Sequence, residues 1–418
     1  MIAVPFIYFT LFSFFLYRKK GRKLDLSVII TAMFAVSGFF SILIDLFDYR
    51  YPDAEGYSIS VGAAIAYCGL LTLCILPLAL NSNLKITSLR PARNAGLLKL
   101  LAVLSFIWFL MVFVFGWSSF TKVLGSDMAD ARTNVYIYGV TSWTDNVPSL
   151  LRPIVIVLNI MFGCSWIHMF LAFFCRYVQR LPKVYFWMFI IASLAGPYIA
   201  VIGADRSKIA YWLIAAFGMF MLYRPFLQPK EKKKLIGIGI AVASVLVIYL
   251  AAMTIARFGE RDYGSEVGTK GGVISYLGQS YIHFCLFFDT YNPPFPNLGI
   301  IFPFIGRYVF GMETGGVIIQ EQMTLATGYN CGVFYTFIGQ IIMGAGQVVA
   351  IAFCIFYSLM SFAILPGVTR RSGANITSLF LYFALASVLL LGLFGHYYTS
   401  PYITFSLFFF LVVLRLIK

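Results

Sequence analysis

Arg206, Lys208, Arg257 and Arg261 stand in two short stretches, GADRSK and ARFGERDYG, each set at the end of a long apolar run. Arginine presents a planar fork of donors that matches the oxygens of a phosphate, and lysine adds a compact charge. Cations gathered in this way suit a phosphorylated or diphosphorylated ligand. Acids lie beside them: Asp205 next to Arg206, with Glu260 and Asp262 flanking Arg261. Each acid can pair with its neighbour or take a proton from an attacking hydroxyl. Other groups able to act as a base are His283, Asp289, Glu313, Glu321 and His396, the last within GHYYTSPY. His283 and His168 lie on apolar stretches and read first as packing residues, whereas His396 suits either role. Tyr263, Tyr276, Tyr281, Tyr291 and Phe295 could stack on sugar faces or form an interfacial belt. No Asp-x-Asp pair and no metal-ligand cysteine spacing is present, so the sequence implies neither metal nor cofactor.

These residues must be positioned by an apolar scaffold. Of 418 residues, 61% are hydrophobic and 11% charged, and the mean hydropathy is +0.87. Soluble domains are about half apolar and a quarter charged. Several runs reach the ~20 residues needed to cross a ~30 Å hydrocarbon core. The expected fold is an all-α polytopic integral membrane protein. Eleven spans fit, at about 2–17, 26–47, 58–80, 97–117, 153–175, 184–202, 209–223, 235–254, 333–365, 376–394 and 402–417. The first is followed, not preceded, by its basic residues, unlike a secretory signal, and reads as a retained helix with its N-terminus outside. The ninth exceeds a bilayer's needs and is expected to bend or tilt.

Connections carrying RKKGRK, KITSLRPAR, RYVQRLPK, YRPFLQPKEKKK and TRR alternate with acidic or mixed ones. With the basic set inside, that face holds 21 of the 31 basic residues and two of the 16 acids, Asp25 and Glu231, leaving ten basic and fourteen acidic residues outside. The asymmetry places the C-terminus inside and removes nucleic acid as the reason for the net charge of +15. Two outer loops are long, 118–152 and 255–332. Within the second, 273–288 and 298–311 are apolar and aromatic and read as interfacial or re-entrant segments. The seven cysteines lie mostly in apolar runs, and Cys285 could pair with Cys331 only if both face outward.

The chain resembles the oligosaccharide repeat-unit polymerases of Gram-negative bacteria, the Wzy class of O-antigen and capsule polymerases. The resemblance lies in the many-helix architecture with one large outer loop towards the C-terminal end. It lies also in GADRSKIAYWLI, which looks like the family's Gly-x-x-Arg-Ser element opening a helix, and in GYNCGVFYTFIGQIIMGAGQ (328–347). An Arg followed by Gly after ten intervening residues, described in two outer loops of some members, is matched by Arg257 with Gly268 and by Arg261 with Gly272; Arg206 departs, since the glycine there is Gly218. The resemblance implies a membrane glycosyltransferase (GT-C-like) bundle in the bacterial inner membrane. It implies transfer of a growing glycan from undecaprenyl diphosphate onto the sugar of a new lipid-linked repeat unit at the periplasmic face, without a nucleotide sugar. The implied catalytic set is Arg206, Arg257, Arg261, Glu260 and His396. The implied substrate-binding set is Asp205, Lys208, Arg132, Arg307, Tyr281, Tyr329, Asn330 and Tyr335. Expected partners are the undecaprenyl-diphosphate-linked oligosaccharide, membrane lipid and a polysaccharide chain-length regulator.

Other readings stand beside this one. An O-antigen ligase would carry a histidine before Asn330, where this chain has Tyr329. A transporter or flippase of lipid-linked sugars would line a path with charges through mid-membrane, whereas here they gather at the ends of spans. A membrane acyltransferase would set a histidine deep among helices, a place only His168 approaches. Arg206 could also serve simply to hold the bundle together.

Overall fold

The computed structural model describes residues 1–49, 54–125, 143–203, 207–259, 268–293, 306, 309–311, 316–369 and 373–417. Among these all regular structure is helical, with one isolated bridge between Leu89 and Ala374. In chain order the helices are α1 (Val4–Lys19), α2 (Leu26–Leu46), α3 (Val61–Leu80), α4 (Ala95–Gly125), α5 (Arg152–Phe162), α6 (Ser165–Phe173), α7 (Lys183–Ser193), α8 (Ala195–Ile202), α9 (Ser207–Tyr223), α10 (Pro229–Gly259), α11 (Gly268–Thr290), α12 (Gly316–Thr327), α13 (Thr336–Ala345), α14 (Gln347–Thr369), α15 (Ile376–Leu391) and α16 (Pro401–Ile417). Among the described residues six helices are long and apolar enough to cross a membrane, or seven when the pair Arg152–Phe162 and Ser165–Val178, bent by 60°, counts as one span. No disulfide joins any of the seven cysteines, so Cys285 and Cys331 are not bridged.

The chain divides into two compact units. The first comprises Met1–Ile86, Tyr263–Arg371 and Tyr382–Pro401, and the second Thr87–Asp262, Ser372–Leu381 and Tyr402–Lys418.

In the first unit α1, α2 and α3 alternate in direction, with the end of α1, the start of α2 and the segment after α3 meeting around Asp25. Asp25, in extended conformation, caps α2 by accepting from the Val28 amide at 3.0 Å. Its carboxylate also accepts from the Ser27 hydroxyl at 2.9 Å and the Ser82 hydroxyl at 2.5 Å, and pairs with Lys20. Asp25 is fully buried. Burial pulls the Lys20 ammonium below the ordinary lysine value, with the Asp25 charge working against that shift. One carboxylate thus ties the α1–α2 turn to the segment that follows α3. This is the Lys20 end of the unit.

At the opposite, Met1 end, α11 lies across the three helices. Its Ser275 hydroxyl donates to the Tyr49 carbonyl just past α2, at 3.1 Å. Its Tyr281 hydroxyl donates to the Met1 carbonyl just before α1, at 3.2 Å. Its Asp289 is bonded to Tyr57 and Ser60, just before α3. Three points along one helix therefore touch three helix ends on the same side. Close seating needs small residues. The Ser37 and Ser41 hydroxyls donate to the carbonyls of Leu277 and Gly278 at 2.8 and 2.6 Å, and a Cβ at Gly278 would overlap the backbone of Phe40 and Ser41. Small and hydroxylated residues at a helix crossing are how apolar bundles bring backbones together. Residues 273–288 are thus not a segment riding on the surface: Tyr281 to Phe287 are all buried.

The apolar run 333–365 is two helices, not one long span. Gly346 adopts φ +86, a left-handed conformation that suits glycine, and separates α13 from α14. All ten residues of α13 are buried. α14 runs beside α3, its Ser358 hydroxyl donating to the Leu73 carbonyl at 2.6 Å.

In the second unit the bend between α5 and α6 falls at Gly163, where a Cβ would collide with Asn159. The break leaves the Phe162 carbonyl without its helical partner, and His168 Nε2 donates to it at 2.8 Å while the ring stacks on Trp108 at 5.3 Å. The packing role read for His168 from the sequence therefore has a definite form. At the start of α10, Glu231 accepts from the Gln228 amide at 3.0 Å. Ile236, Ile238, Ile240, Val245, Val247 and Ile248 of this helix are exposed apolar side chains.

Two stability outcomes follow. Gly278→Val should lower stability by about 1–3 kcal/mol through overpacking, whereas Gly69→Ala, with nothing within 4 Å of its Cβ, should be neutral; equal melting temperatures for the two variants in detergent would contradict the seating of α11. Asp25→Ala, which strands Lys20 in a buried site, should cost about 3–5 kcal/mol, read in the same assay.

Candidate functional site

The Met1 end of the first unit gathers most of the described polar candidates. Asp289 closes α11 and is exposed. The Tyr57 hydroxyl donates to its Oδ2 at 2.5 Å and the Ser60 hydroxyl to its Oδ1 at 2.9 Å. Ser60 is itself fixed, because its Oγ accepts from the Ala63 amide at 2.9 Å as the cap of α3. Burial, and next the bond to Asp289, raise the Tyr57 hydroxyl well above the ordinary tyrosine value. Tyr57 therefore remains a donor throughout the physiological range.

Beyond α11 an aromatic cluster forms: the Tyr291 and Tyr329 rings lie 6.0 Å apart, and Phe287 lies 4.9 Å from Tyr291 and 5.5 Å from Tyr335. The segment from Gly328 to Gln340 folds back on itself beside it. Gly328 ends α12 with φ +75. The Cys331 amide donates to Thr324 Oγ1 at 2.9 Å, Asn330 Oδ1 accepts from the Gly332 amide at 3.0 Å, and the Tyr335 hydroxyl donates to the Cys331 carbonyl at 3.1 Å. Thr336 then opens α13 with φ +62. A β-branched residue there stores about 1–3 kcal/mol of strain and persists only where its surroundings enforce it. The enforcing contacts are visible. The Phe337 amide donates to the Gly392 carbonyl at 2.8 Å, and Gln340 Oε1 accepts from the His396 amide at 2.5 Å. Cβ atoms at Gly392 and Gly395 would come within 2.7 Å of Phe337 Cδ1 and 2.9 Å of Gln340 Oε1.

The sequence-derived candidates separate on this geometry. His396 is buried, its ring 6.1 Å from Phe353 and from Tyr398, and its amide serves Gln340. Tyr281, expected to face sugar, is instead buried against Tyr67 with ring centroids 4.8 Å apart. Its hydroxyl is bonded to Met1, so it offers no face to a ligand. Tyr335 is corrected in the same way: it is buried and bonded to Cys331. Tyr329 and Asn330 are half-buried at the rim. His283 is buried, with Nδ1 at 3.1 Å from the Gln279 carbonyl.

In the second unit Lys208 is exposed on the first turn of α9, and Arg257 falls in the last turn of α10, its side chain outside the described residues. Arg206, Asp205, Glu260, Arg261, Asp262, Arg132, Arg307 and Glu313 lie outside the described residues, as does the side chain of Glu321. Among the described residues no group of three or more His, Cys, Asp or Glu could hold a metal ion. Tyr57, Ser60 and Gln340 escaped sequence reasoning. Ser60 had a signal, a serine directly before an apolar run. Gln340 had one too, a lone amide within a span.

Comparison of the chain with protein-family models, with curated proteins and with solved structures finds no match.

Gln340→Leu removes the acceptor of the buried His396 amide and should cost about 1–3 kcal/mol. Thermal unfolding in detergent measures it; an unchanged midpoint would mean that α13 does not rely on this bond.

Proposed function

We propose that the chain is a glycosyltransferase of the bacterial inner membrane that polymerises undecaprenyl-diphosphate-linked oligosaccharide repeat units into O-antigen or capsular polysaccharide. In this reading the chain crosses the membrane eleven times in a GT-C-like bundle, with its N-terminus and the Met1 end of the first unit at the periplasmic face.

The observation that carries it is the start of α9. The N-terminus of a helix bears the positive end of the macrodipole and is ordinarily matched by acids. The first turn of α9 has no acid and carries Lys208, and the sequence puts Arg206 directly before Ser207. The backbone amides at a helix N-terminus, with cationic side chains near them in sequence, suit an anion such as a diphosphate. Arg257, at the end of α10, and Arg261 beyond it add guanidinium groups to the same unit.

In the reaction the acceptor hydroxyl oxygen bonds to the anomeric carbon of the growing chain as the carbon–oxygen bond to the lipid diphosphate breaks. Undecaprenyl diphosphate departs with the electron pair. The hydroxyl proton passes to a base, for which Glu260, adjacent to Arg261, and His396 are the candidates. Charge grows on the leaving diphosphate, where fixed cations lower the barrier. Arg206, Arg257 and Arg261 take that role, with Asp205, Lys208, Arg132 and Arg307 in binding. His396 is buried, and its backbone amide, not its ring, is what bonds Gln340. Tyr329 and Asn330 remain rim residues for substrate.

Deleting the protein should leave single repeat units in place of a polysaccharide ladder. Arg206→Lys should keep the protein in the membrane and reduce polymer by about 10²–10³-fold, the cost of losing one well-placed transition-state donor. A normal ladder after deletion would refute the proposal; parallel loss of protein and polymer in Arg206→Lys would make Arg206 a structural residue.

A further inference from the structure

Lys230, Lys233 and Lys234 open α10 at the i, i+3 and i+4 spacing that puts side chains on one helix face. All three are exposed, and among the described residues none of them forms an ion pair. Arg224 and Lys232 lie close by in sequence, and the one acid between 224 and 234, Glu231, is engaged with the Gln228 amide. The lysine face continues down the helix. At the same spacing it passes through Gly237, Ala241 and Ser244 to Ile248, every one of them exposed. Nothing stands within 4 Å of a Cβ built on Gly237. The three small residues leave a shallow furrow, bordered by the exposed side chains of Ile238 and Val245 on one side and Ile240 and Val247 on the other. From Gln228 to Tyr249 no residue is buried. The run 235–254 carries no charged residue, and ~20 such residues match the thickness of a hydrocarbon core.

We propose that this face of α10 binds an anionic phospholipid, its negatively charged headgroup held by Lys230, Lys233 and Lys234 and an acyl chain lying in the furrow over Gly237, Ala241 and Ser244. Unpaired lysines directly beside an apolar helix attract the acidic lipids of a bilayer surface. The continuity of the two parts on one face decides between occupants. A free phosphate or an acidic soluble protein would meet the lysines and leave the furrow bare. A second copy could pack on the small residues, as apolar helices do. In a two-fold dimer, however, the same patch meets itself, and the two lysine faces would be set against each other. A negatively charged amphiphile covers lysines and furrow with one molecule. The inference stands apart from the polymerase reading, because it needs only α10 and a bilayer, with no glycan and no reaction.

The test uses the full-length protein in detergent, with phosphatidylglycerol or phosphatidylcholine of the same acyl chains added in rising amounts and bound lipid read by native mass spectrometry. Wild type should bind phosphatidylglycerol more tightly than phosphatidylcholine. The combined variant Lys230→Gln, Lys233→Gln and Lys234→Gln should lower the phosphatidylglycerol affinity by about 10²-fold, roughly fivefold for each lysine, and leave phosphatidylcholine unchanged. Lys19→Gln with Arg22→Gln and Lys23→Gln removes the same charge from another exposed basic segment and should have little effect. Gly237→Leu, which fills the furrow, should weaken phosphatidylglycerol binding without lowering the melting temperature, since nothing packs there. Equal affinity of wild type for the two lipids would overturn the site. Equal losses in the two triple variants would also overturn it, because they would mark a response to net charge. A dimer abolished by Gly237→Leu, with phosphatidylglycerol affinity unchanged, would give this face to a second copy instead.

Discussion

A backbone surrounded by apolar side chains has no water to bond, so every amide and carbonyl must find a partner within the protein. Continuous helices meet that condition by themselves; interrupted ones do not. This constraint governs the Met1 end of the first unit, where α11 lies across three helix ends and α13 stops after ten residues. Each interruption there has a named partner. The Tyr49 and Met1 carbonyls are met by Ser275 and Tyr281, and the Gly392 carbonyl by the Phe337 amide. The amide of His396 is met by Gln340. The polar side chains in this apolar setting are largely answers to breaks in the backbone. The same logic explains His168 in the second unit, which meets the carbonyl exposed by the bend at Gly163.

The two acids in the otherwise basic connections obey a related rule. Asp25 and Glu231 each accept a backbone amide at the start of a helix, where negative charge is favoured by the macrodipole. Neither is placed to neutralise the surrounding cations at large, apart from Lys20, which is drawn into the buried site of Asp25. The charge asymmetry seen in the sequence is therefore not cancelled by local pairing at these two acids.

How much of this could be read from residues alone depends on the length scale of the signal. Apolar runs long enough to cross a bilayer are plain in composition, and some helices match them closely, 26–47 against Leu26–Leu46 and 184–202 against the pair spanning Lys183–Ile202, while others run past them, 97–117 against Ala95–Gly125 and 235–254 against Pro229–Gly259. The interruption inside 333–365 was legible only as excess length, because Gly346 is one of 35 glycines and only its positive φ distinguishes it. Tyr281 and Tyr335 were misread for a different reason. An aromatic residue with a hydroxyl reads alike on a sugar-binding face and in a core that needs a donor, and the acceptors that decide, the carbonyls of Met1 and Cys331, are remote or invisible as side-chain chemistry. Asp289 was legible as a candidate, but its partners Tyr57 and Ser60, more than 200 residues earlier, had no sequence signature linking them to it.

The same accounting of partners separates structure from chemistry at the Met1 end. Gln340, Thr336, Ser275 and Tyr281 lie inside, and their polar atoms meet backbone or one another. A residue spent on a broken helix cannot also recognise a ligand without releasing the backbone it serves, at a cost of about 1–3 kcal/mol for the group left unsatisfied. Groups available for recognition must therefore stand at the rim, where water supplies any bond that a ligand does not. Asp289 stands there, exposed and held by the hydroxyls of Tyr57 and Ser60. Tyr329 and Asn330 share the rim. What reads in sequence as a single polar, aromatic loop thus resolves into an inner layer that makes the interrupted fold possible and an outer edge that is exposed or half-buried.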